Sequence, residues 1–415
     1  MYTFISAILL MGLLFVMFVS RIKCLLLITI MLPTLDMFRI TGAFTVWGIV
    51  VFILFAFVVA KGNFCGPTPF NVILLFEFSS FFLSYLLGSY NGIGSIFPFV
   101  SYILLVVLLW QLYIPSIKNV KFIIYAGCIY YSALSIYGAY ESITFSTPFI
   151  EWMTSIGYQA VEEQGEGFVR FGLYRAQSFT PWCCVLGLTC GVGYAFMSNI
   201  ILYHSKKSRI LAIIIVFLLI AGVLFSGDRT AMLMTGILSI SLFPFIGTNK
   251  RIFFLLLIVL LCIYLQFQDY FDEIYFAFAH SDEVVGSSTS MRMSQLEAAI
   301  RWYNKSPLWG NGLSATVECV KIDPNILGAE SIVFQLLINR GLIGIASFVF
   351  FIICTCLVLL KKRLYTLIPI FIGFIVYETM ALPMCELYIL CFIVVLYKNQ
   401  IVRKKEKEYS VQYKY

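Results

Sequence analysis

Four arginines and one glutamate are the side chains of this sequence best suited to chemistry on a charged substrate. They fall at or near the ends of long apolar stretches: Arg170, Arg175, Arg229, Arg292 and Glu330. An ionisable group beside lipid normally needs a charged partner, a polar cavity or a ligand. Arginines gathered on one side of a membrane would hold the phosphates of a diphosphate ligand. A carboxylate with a raised pKa would act as a general base toward a hydroxyl nucleophile.

A plainer structural role is open for three of these residues. Arg229 follows Asp228, so the two would form a local ion pair or a helix cap. Arg175 comes shortly before an apolar helix, where an arginine also serves as an interface anchor. Glu330 precedes a long apolar run, where an acid stabilises the helix dipole by about 0.3–1 kcal/mol. The sequence leaves both interpretations of each residue open.

Cysteine and histidine do not form a metal-binding pattern in this chain. The twelve cysteines fall mainly in apolar stretches without paired ligand spacing, and the two histidines are His204 and His280. The thiols are expected to pack as small hydrophobic groups. No serine-histidine-acid set, phosphate-binding loop or zinc signature is present, so neither a metal nor another cofactor is expected.

The composition places these residues in a membrane protein. Of the 415 residues, 61% are hydrophobic and 12% are charged, which is more apolar surface than one water-soluble core can bury. Several nearly uncharged stretches reach the roughly 18 residues that a membrane-spanning helix needs. The sequence predicts an all-α, polytopic integral membrane protein with one transmembrane domain over residues 1–397 and a basic cytoplasmic tail over 398–415.

The net charge of +7 lies in short clusters at helix ends, which argues against nucleic acid as a partner and indicates cytoplasmic loops instead. Five such clusters set the orientation: Arg21-Lys23, Lys118-Lys121, Lys206-Lys207-Arg209, Lys250-Arg251 and Lys361-Lys362-Arg363. They predict 13 spans, or 12 if the short second one does not cross: 3–20, 24–36, 42–60, 70–87, 96–114, 121–140, 180–203, 209–225, 230–247, 252–267, 332–360, 364–382 and 384–397.

Two long polar segments, 141–179 and 268–331, then lie outside, and the C-terminus lies in the cytoplasm. The second segment carries a helical pattern from Met291 to Asn304 that Ser290 would cap. At about 100° per residue, Arg292 and Arg301 lie on opposite sides of this helix. We therefore expect only one of these two arginines to reach a given site.

Three patches within residues 170–390 follow one another in a characteristic order: Arg175 to Gly187, Ser226 to Thr230, and Ser290 to Gly344. In the last patch, Arg292 precedes Pro-Leu-Trp-Gly-Asn-Gly-Leu at 307–313, and Glu330-Ser331 is followed after nine residues by Gly-Leu-Ile-Gly at 341–344. This order and spacing resemble the Wzy O-antigen polymerase and WaaL O-antigen ligase superfamily of bacterial inner-membrane glycosyltransferases. The glycines also have a structural interpretation, in a turn and in close helix packing.

The resemblance implies inverting, metal-independent glycosyl transfer at the periplasmic face of the inner membrane. Its substrates would be undecaprenyl-diphosphate-linked oligosaccharides, within a pathway that also includes a flippase and a chain-length regulator. Arg175, Arg229 and Arg292, with Arg170 nearby, would hold the departing diphosphate, and Glu330 would orient or deprotonate the attacking hydroxyl. Ligases carry histidine at the position of Glu330, so the chain resembles the polymerase branch more closely.

Two other functions stay open at this point. One is an O-antigen ligase that transfers glycan to lipid A-core. The other, from a different class, is a flippase or transporter of lipid-linked oligosaccharides, for which internal repeats and ionisable residues near the bilayer midplane are typical. No repeat is visible, Glu77 is the clearest acid deep in a span, and most polar residues fall in the two outside segments. This distribution favours chemistry at the membrane surface.

Overall fold

The computed structural model describes residues 1–62, 68–158, 169–170, 173–204, 209–242, 289–323, 329–381 and 385–412. The predicted span 252–267, the end of span 230–247 and the part of segment 268–331 before residue 289 lie outside the described residues, as do the basic clusters at 206–207 and 250–251. The described residues form sixteen α-helices and two small β-hairpins. The predicted all-α fold class is confirmed.

The helices follow the apolar runs of the sequence. Their bounds are α1 Tyr2–Val19, α2 Arg21–Leu35, α3 Val46–Ala60, α4 Asn71–Leu87, α5 Ile93–Leu112, α6 Ile117–Thr144, α7 Pro148–Ser155, α8 Cys183–His204, α9 Arg209–Phe225, α10 Arg229–Ser239, α11 Thr289–Tyr303, α12 Ala315–Ile322, α13 Ile332–Asn339, α14 Gly341–Lys361, α15 Leu367–Met380 and α16 Tyr388–Gln412. The antiparallel hairpins pair β1 Arg39–Thr41 with β2 Phe44–Thr45, and β3 Val169–Arg170 with β4 Leu173–Tyr174.

Four helices among the described residues are long and apolar enough to cross a membrane: α1, α6, α8 and α14. Six shorter apolar helices of 10–17 residues accompany them. Large hydrophobic side chains cover outward faces, as on α1, where Phe15 is 69% and Phe18 is 80% exposed. Such a surface suits contact with lipid and would be costly in water. The total of 12 or 13 spans stays a prediction.

Helix α8 lies in the interior and is almost entirely buried. It packs against α6, α9 and α10. Its contact with α10 is close because a Cβ placed on Gly187 would lie 2.7 Å from the Cβ of Ala231. The absence of a side chain at Gly187 therefore lets the first turns of α8 and α10 meet. This packing places the residues just before α8 next to the start of α10.

Hydrogen bonds join helix ends that the predicted topology places on the same side of the membrane. The backbone N–H of Tyr2 donates to the carbonyl of Ile156 at 3.0 Å, and that of Tyr90 donates to the carbonyl of Asn311 at 2.9 Å. All four of these residues are predicted to lie outside. At the opposite end, Lys398 Nζ donates to the carbonyl of Tyr113 at 2.7 Å. The assignment of the first end to the periplasm stays a prediction from the charge pattern.

The prediction of one continuous span over 332–360 is wrong. Two helices, α13 and α14, cover these residues and meet at Arg340. Gly341 has φ +58, and the N–H of Leu342 donates to the carbonyl of Pro307 at 2.8 Å instead of continuing the ladder of α13. Glu330 therefore precedes a short helix of eight residues. Arg340 stands at the start of the membrane-length helix α14.

The last predicted span and the first part of the basic tail lie in one helix. Helix α16 continues from Tyr388 through Gln412 without a break. The side chain of Lys398 folds back onto the carbonyl groups of Trp110 and Tyr113 at the end of α5. The lysines and glutamates that follow are good helix formers, so the helix continues through them. The first part of the basic tail is thus an extension of the last helix.

Candidate functional site

Arg175 lies over the turn between α9 and α10. Its Nε donates to the carbonyl of Ser226 at 3.4 Å, and a terminal guanidinium nitrogen approaches the Sγ of Cys184 at 3.4 Å. The next residue, Ala176, donates its N–H to the carbonyl of Phe225 at 2.9 Å. Gly227 has φ +61, and a Cβ there would lie 2.8 Å from the side chain of Arg175. The turn and the arginine therefore pack directly on each other.

Glu141 holds this segment in place, and the sequence prediction missed it. The residue is fully buried, and its Oε2 accepts the backbone N–H groups of Gln177 at 2.9 Å and Ser178 at 2.6 Å. Ser178 has φ +53, an uncommon conformation that these hydrogen bonds support. An acid at the end of the apolar helix α6 was the available signal, although nothing in its local sequence identifies its partners.

Arg229 is the first residue of α10, and Asp228 is the N-cap of that helix. Asp228 Oδ1 accepts the N–H of Thr230 at 2.9 Å, so the cap expected of this aspartate is confirmed. Burial lowers the pKa of Arg229, and the nearby cations of Arg292 and Arg175 lower it further. Asp228 and Glu330 act on it in the opposite direction. Arg229 therefore lies within electrostatic reach of all four residues, and it stays a cation.

Arg292 reaches the same place from α11. Its guanidinium donates to the carbonyl of Met380 at 2.6 Å, and the hydroxyl of Thr230 approaches the same oxygen at 3.5 Å. The start of α10, the start of α11 and the end of α15 therefore meet at one carbonyl group. Arg301, on the same helix, instead pairs with Asp323 at 3.3 Å. The prediction that Arg292 and Arg301 face different sides is confirmed.

Glu330 lies beside α11. Its backbone N–H donates to the Oε1 of Gln295 at 3.2 Å, and Gln295 is three residues after Arg292, on the neighbouring turn. Ser331, and not Glu330, caps α13 by accepting the N–H of Val333 at 3.3 Å. Glu330 is thus half-buried next to the arginines, one residue before the helix cap.

Arg170 is placed by its backbone in β3, where it pairs with Leu173 of β4. The hairpin leads directly to Arg175. The structure brings together four of the five predicted site residues, namely Arg175, Arg229, Arg292 and Glu330. With the neighbouring Asp228, we call these residues the arginine cluster.

The arginine cluster contains three cations and two carboxylates, so its formal charge is positive. Arg175 and Arg292 donate hydrogen bonds to uncharged acceptors, namely carbonyl groups and a sulfur atom. Guanidinium groups bind phosphate oxygens in pairs, and a partly buried setting strengthens that attraction. Among the described residues, no group of three or more His, Cys, Asp or Glu side chains is arranged to hold a metal ion.

A second group of charges, absent from the predicted site, lies at the break between α13 and α14. Arg340 donates to Glu77 Oε2 at 3.0 Å, and it also pairs closely with Glu386 Oε1. All three side chains are buried, with exposures of 7%, 1% and 6%. We call these residues the Arg340 triad. The available signal was the presence of three charges in otherwise apolar surroundings, where each normally needs a partner.

The two glycine motifs pack against each other at this break. Gly310 has φ +76, and a Cβ there would collide with the backbone of Asn339. Gly341 has φ +58, and a Cβ there would lie 2.6 Å from the carbonyl oxygen of Pro307. The structural interpretation of these glycines, close approach and a turn, is confirmed. The loop at 307–313 thereby fixes where α13 ends and α14 begins.

Residues 214–349 match the family model described as O-Antigen ligase. The match covers about a third of the chain and includes Arg229, Arg292, Glu330 and Arg340, whereas Arg175 lies before it. A search of the curated proteins finds no match. The family links the chain to glycan transfer in the synthesis of lipopolysaccharide or a related surface polysaccharide, and it does not separate polymerases from ligases.

Proposed function

We propose that this chain is a surface-polysaccharide polymerase of the superfamily of Wzy O-antigen polymerases and WaaL O-antigen ligases, because residues 214–349 match the family model described as O-Antigen ligase. It transfers a growing glycan from undecaprenyl diphosphate onto an incoming lipid-linked repeat unit. The transfer takes place at the periplasmic face of the inner membrane. The observation that carries the proposal is the convergence of Arg175, Arg229 and Arg292 at one end of the helices, with Glu330 beside them.

The chemistry follows from the charges of the arginine cluster. A hydroxyl of the acceptor sugar attacks the anomeric carbon of the donor sugar, and the bond from that carbon to the phosphate oxygen breaks with inversion. The departing diphosphate gains negative charge, which the three arginines stabilise without a metal ion. Glu330 accepts the proton of the attacking hydroxyl. Each group thus has one role, charge stabilisation on the leaving side and proton transfer on the attacking side.

Ligation to lipid A-core is the second candidate, because the matching family model is described as O-Antigen ligase. Polymerase is preferred because Glu330 occupies the position at which the resembling ligases carry histidine. The two functions share the donor and the leaving group. They differ in the acceptor, so an experiment that offers both acceptors separates them.

The deciding experiment reconstitutes the purified full-length protein in nanodiscs with undecaprenyl-diphosphate-linked repeat units and, in a parallel reaction, with lipid A-core. A ladder of lengthened glycans on undecaprenyl diphosphate is the expected result. Glycan attached to lipid A-core would support the ligase instead. If proteoliposomes moved the lipid-linked unit across the bilayer without forming a glycosidic bond, the protein would be a transporter and the proposal would be wrong.

The role of Glu330 has its own test. Glu330→Gln keeps the size of the side chain but removes the base, so we expect polymerisation to fall by about 10²–10⁴-fold. Glu330→His supplies a base again and should recover part of the rate. Glu297→Gln, an exposed acid on α11, is the matched control and should leave the rate unchanged. Full activity of Glu330→Gln would exclude Glu330 as an obligatory base.

A further inference from the structure

A cavity of about 210 Å³ lies between α4, α5, α13 and the residues Cys385 and Glu386 just before α16. Phe81 and Phe99, whose rings are stacked, form an aromatic wall. Gln335, Arg340 and Glu386 form a polar wall. The charged part of this wall is well buried, because the side chains of Arg340 and Glu386 are 7% and 6% exposed. The arginine cluster does not include any of these five residues.

The size and lining of the cavity favour one kind of ligand. Its volume is below the roughly 300–1,000 Å³ typical of sites for drug-sized ligands, so it suits a single ring and not a lipid tail or a whole oligosaccharide. A sugar ring has an apolar C–H face that packs on aromatic side chains and a rim of hydroxyls that needs donors and acceptors. One arginine faces two carboxylates here, so the formal charge of the triad is negative. An anionic ligand would be repelled, whereas an uncharged, hydroxyl-rich ring would not be.

The cavity adjoins the arginine cluster through α13, which begins two residues after Glu330. The side chain of Gln335, which lines the cavity, donates to the carbonyl of Ala329 at 3.3 Å. Ala329 is the residue before Glu330, whose own N–H donates to Gln295 on the helix that carries Arg292. A ligand in the cavity therefore lies next to the place where the leaving diphosphate would be held.

We propose that this cavity binds a sugar ring of the acceptor oligosaccharide, with Glu386 accepting hydrogen bonds from its hydroxyls and Gln335 completing the polar contacts. The inference rests on the proposed function, since it assigns the acceptor to one side of the arginine cluster and the donor diphosphate to the other. Arg340 positions Glu386 by pairing with it. The cavity thereby sets which sugar is presented to the reacting carbon.

The triad offers a matched pair of variants for the test. Glu386→Gln and Glu77→Gln each remove one carboxylate, and each leaves Arg340 paired with the remaining one. Of these two acids, Glu386 lines the cavity and Glu77 does not. The probe is the repeat-unit oligosaccharide released from its lipid by mild acid. Binding is measured by calorimetry on the full-length protein in nanodiscs, which requires no turnover.

We expect wild-type protein and Glu77→Gln to bind the oligosaccharide with dissociation constants that agree within about twofold. Glu386→Gln should bind about tenfold more weakly or worse, because a hydrogen bond to a charged group is lost. Equal binding by Glu386→Gln and wild type would overturn the proposal, as would the absence of binding to wild type. If Glu386→Gln does not fold, Gln335→Leu tests the same wall. Its control is Gln400→Leu, which removes a buried glutamine bonded to Thr366 at the opposite end.

The failure of this inference can be told apart from the failure of the proposed function. Polymer formation by wild type together with unchanged oligosaccharide binding in Glu386→Gln would remove the cavity site and leave the polymerase. Conversely, binding that depends on Glu386 in a protein that forms no glycosidic bond would support the sugar site and remove the polymerase.

Discussion

Two groups of buried or half-buried charges lie near the same end of the helices, and the protein neutralises them differently. In the Arg340 triad, one arginine is enclosed by two carboxylates from distant parts of the chain. In the arginine cluster, three arginines share two carboxylates, and Arg175 and Arg292 donate to carbonyl groups. The side chains of the triad are buried, whereas the arginines of the cluster are half-buried.

This difference indicates different roles. Carbonyl groups orient a guanidinium without cancelling its charge, so the arginine cluster keeps the net attraction that an incoming diphosphate needs. Carboxylates cancel the charge of Arg340, which suits a residue that joins α4, α14 and the segment before α16. Removal of an arginine should therefore damage folding in the triad and catalysis in the cluster.

The largest effect is expected from Arg340→Met. It leaves two carboxylates buried beside each other without a cation, and breaking a buried ion pair in this way typically costs about 3–5 kcal/mol. We expect little folded protein in the membrane, measured by fluorescence-detected size-exclusion chromatography of a tagged chain. Adding Glu77→Gln and Glu386→Gln to Arg340→Met should recover much of the folded protein. Wild-type levels of Arg340→Met alone would contradict the structural role of the triad.

Arg292→Gln tests the other half of the comparison. We expect it to lower turnover by about 10²–10³-fold, the usual loss when one group that stabilises developing charge is removed, while the melting temperature stays near that of wild type. Arg301→Gln is the matched control on the same helix, since that exposed arginine pairs with Asp323 and not with the cluster. Its turnover should be unchanged. An equal loss of turnover in both variants would mean that the total positive charge of α11 matters, and not the position of Arg292 in the cluster.

The sequence was informative where local pattern determines position. Apolar runs located the helices, and the 100° spacing separated Arg292 from Arg301. The predicted topology placed Arg175 and Arg229 at the same end of the helices. Arg175 precedes one apolar run, Arg229 lies between two later ones, and successive runs are predicted to cross in alternating directions. None of these inferences needs a contact between distant parts of the chain.

The features that the sequence did not predict all depend on such contacts. The run from Ile332 onward looks continuous because its break is made by the carbonyl groups of Pro307 and Leu308, which accept the first N–H groups of α14. Glu77 and Arg340 are 263 residues apart, so no local spacing connects them. Glu141 likewise binds backbone groups 36 and 37 residues later.

Glu141→Ala should lower stability by an intermediate amount, less than Arg340→Met in the triad and more than Arg292→Gln in the arginine cluster. It leaves the N–H groups of Gln177 and Ser178 without their acceptor, which we expect to lower the free energy of unfolding by about 1.5–3 kcal/mol. Arg175 is carried by the same segment, so turnover should fall as well. The exposed Glu151 on α7 provides the control Glu151→Ala. Thermal unfolding in nanodiscs measures both variants, and equal melting temperatures would show that Glu141 does not support the loop.

Glu77→Gln is expected to have the smallest effect on stability and sharpens the comparison most directly. One arginine can be matched by one carboxylate, and two carboxylates around it repel each other. The amide keeps a hydrogen-bond acceptor for the guanidinium, and Arg340 remains paired with Glu386, so the free energy of unfolding should change by less than about 1 kcal/mol. Thermal unfolding of Glu77→Gln beside Arg340→Met measures this. A loss as large as that of Arg340→Met would mean that both carboxylates are required, and that the triad acts as a unit rather than as one ion pair between Arg340 and Glu386 with Glu77 as a dispensable second acid.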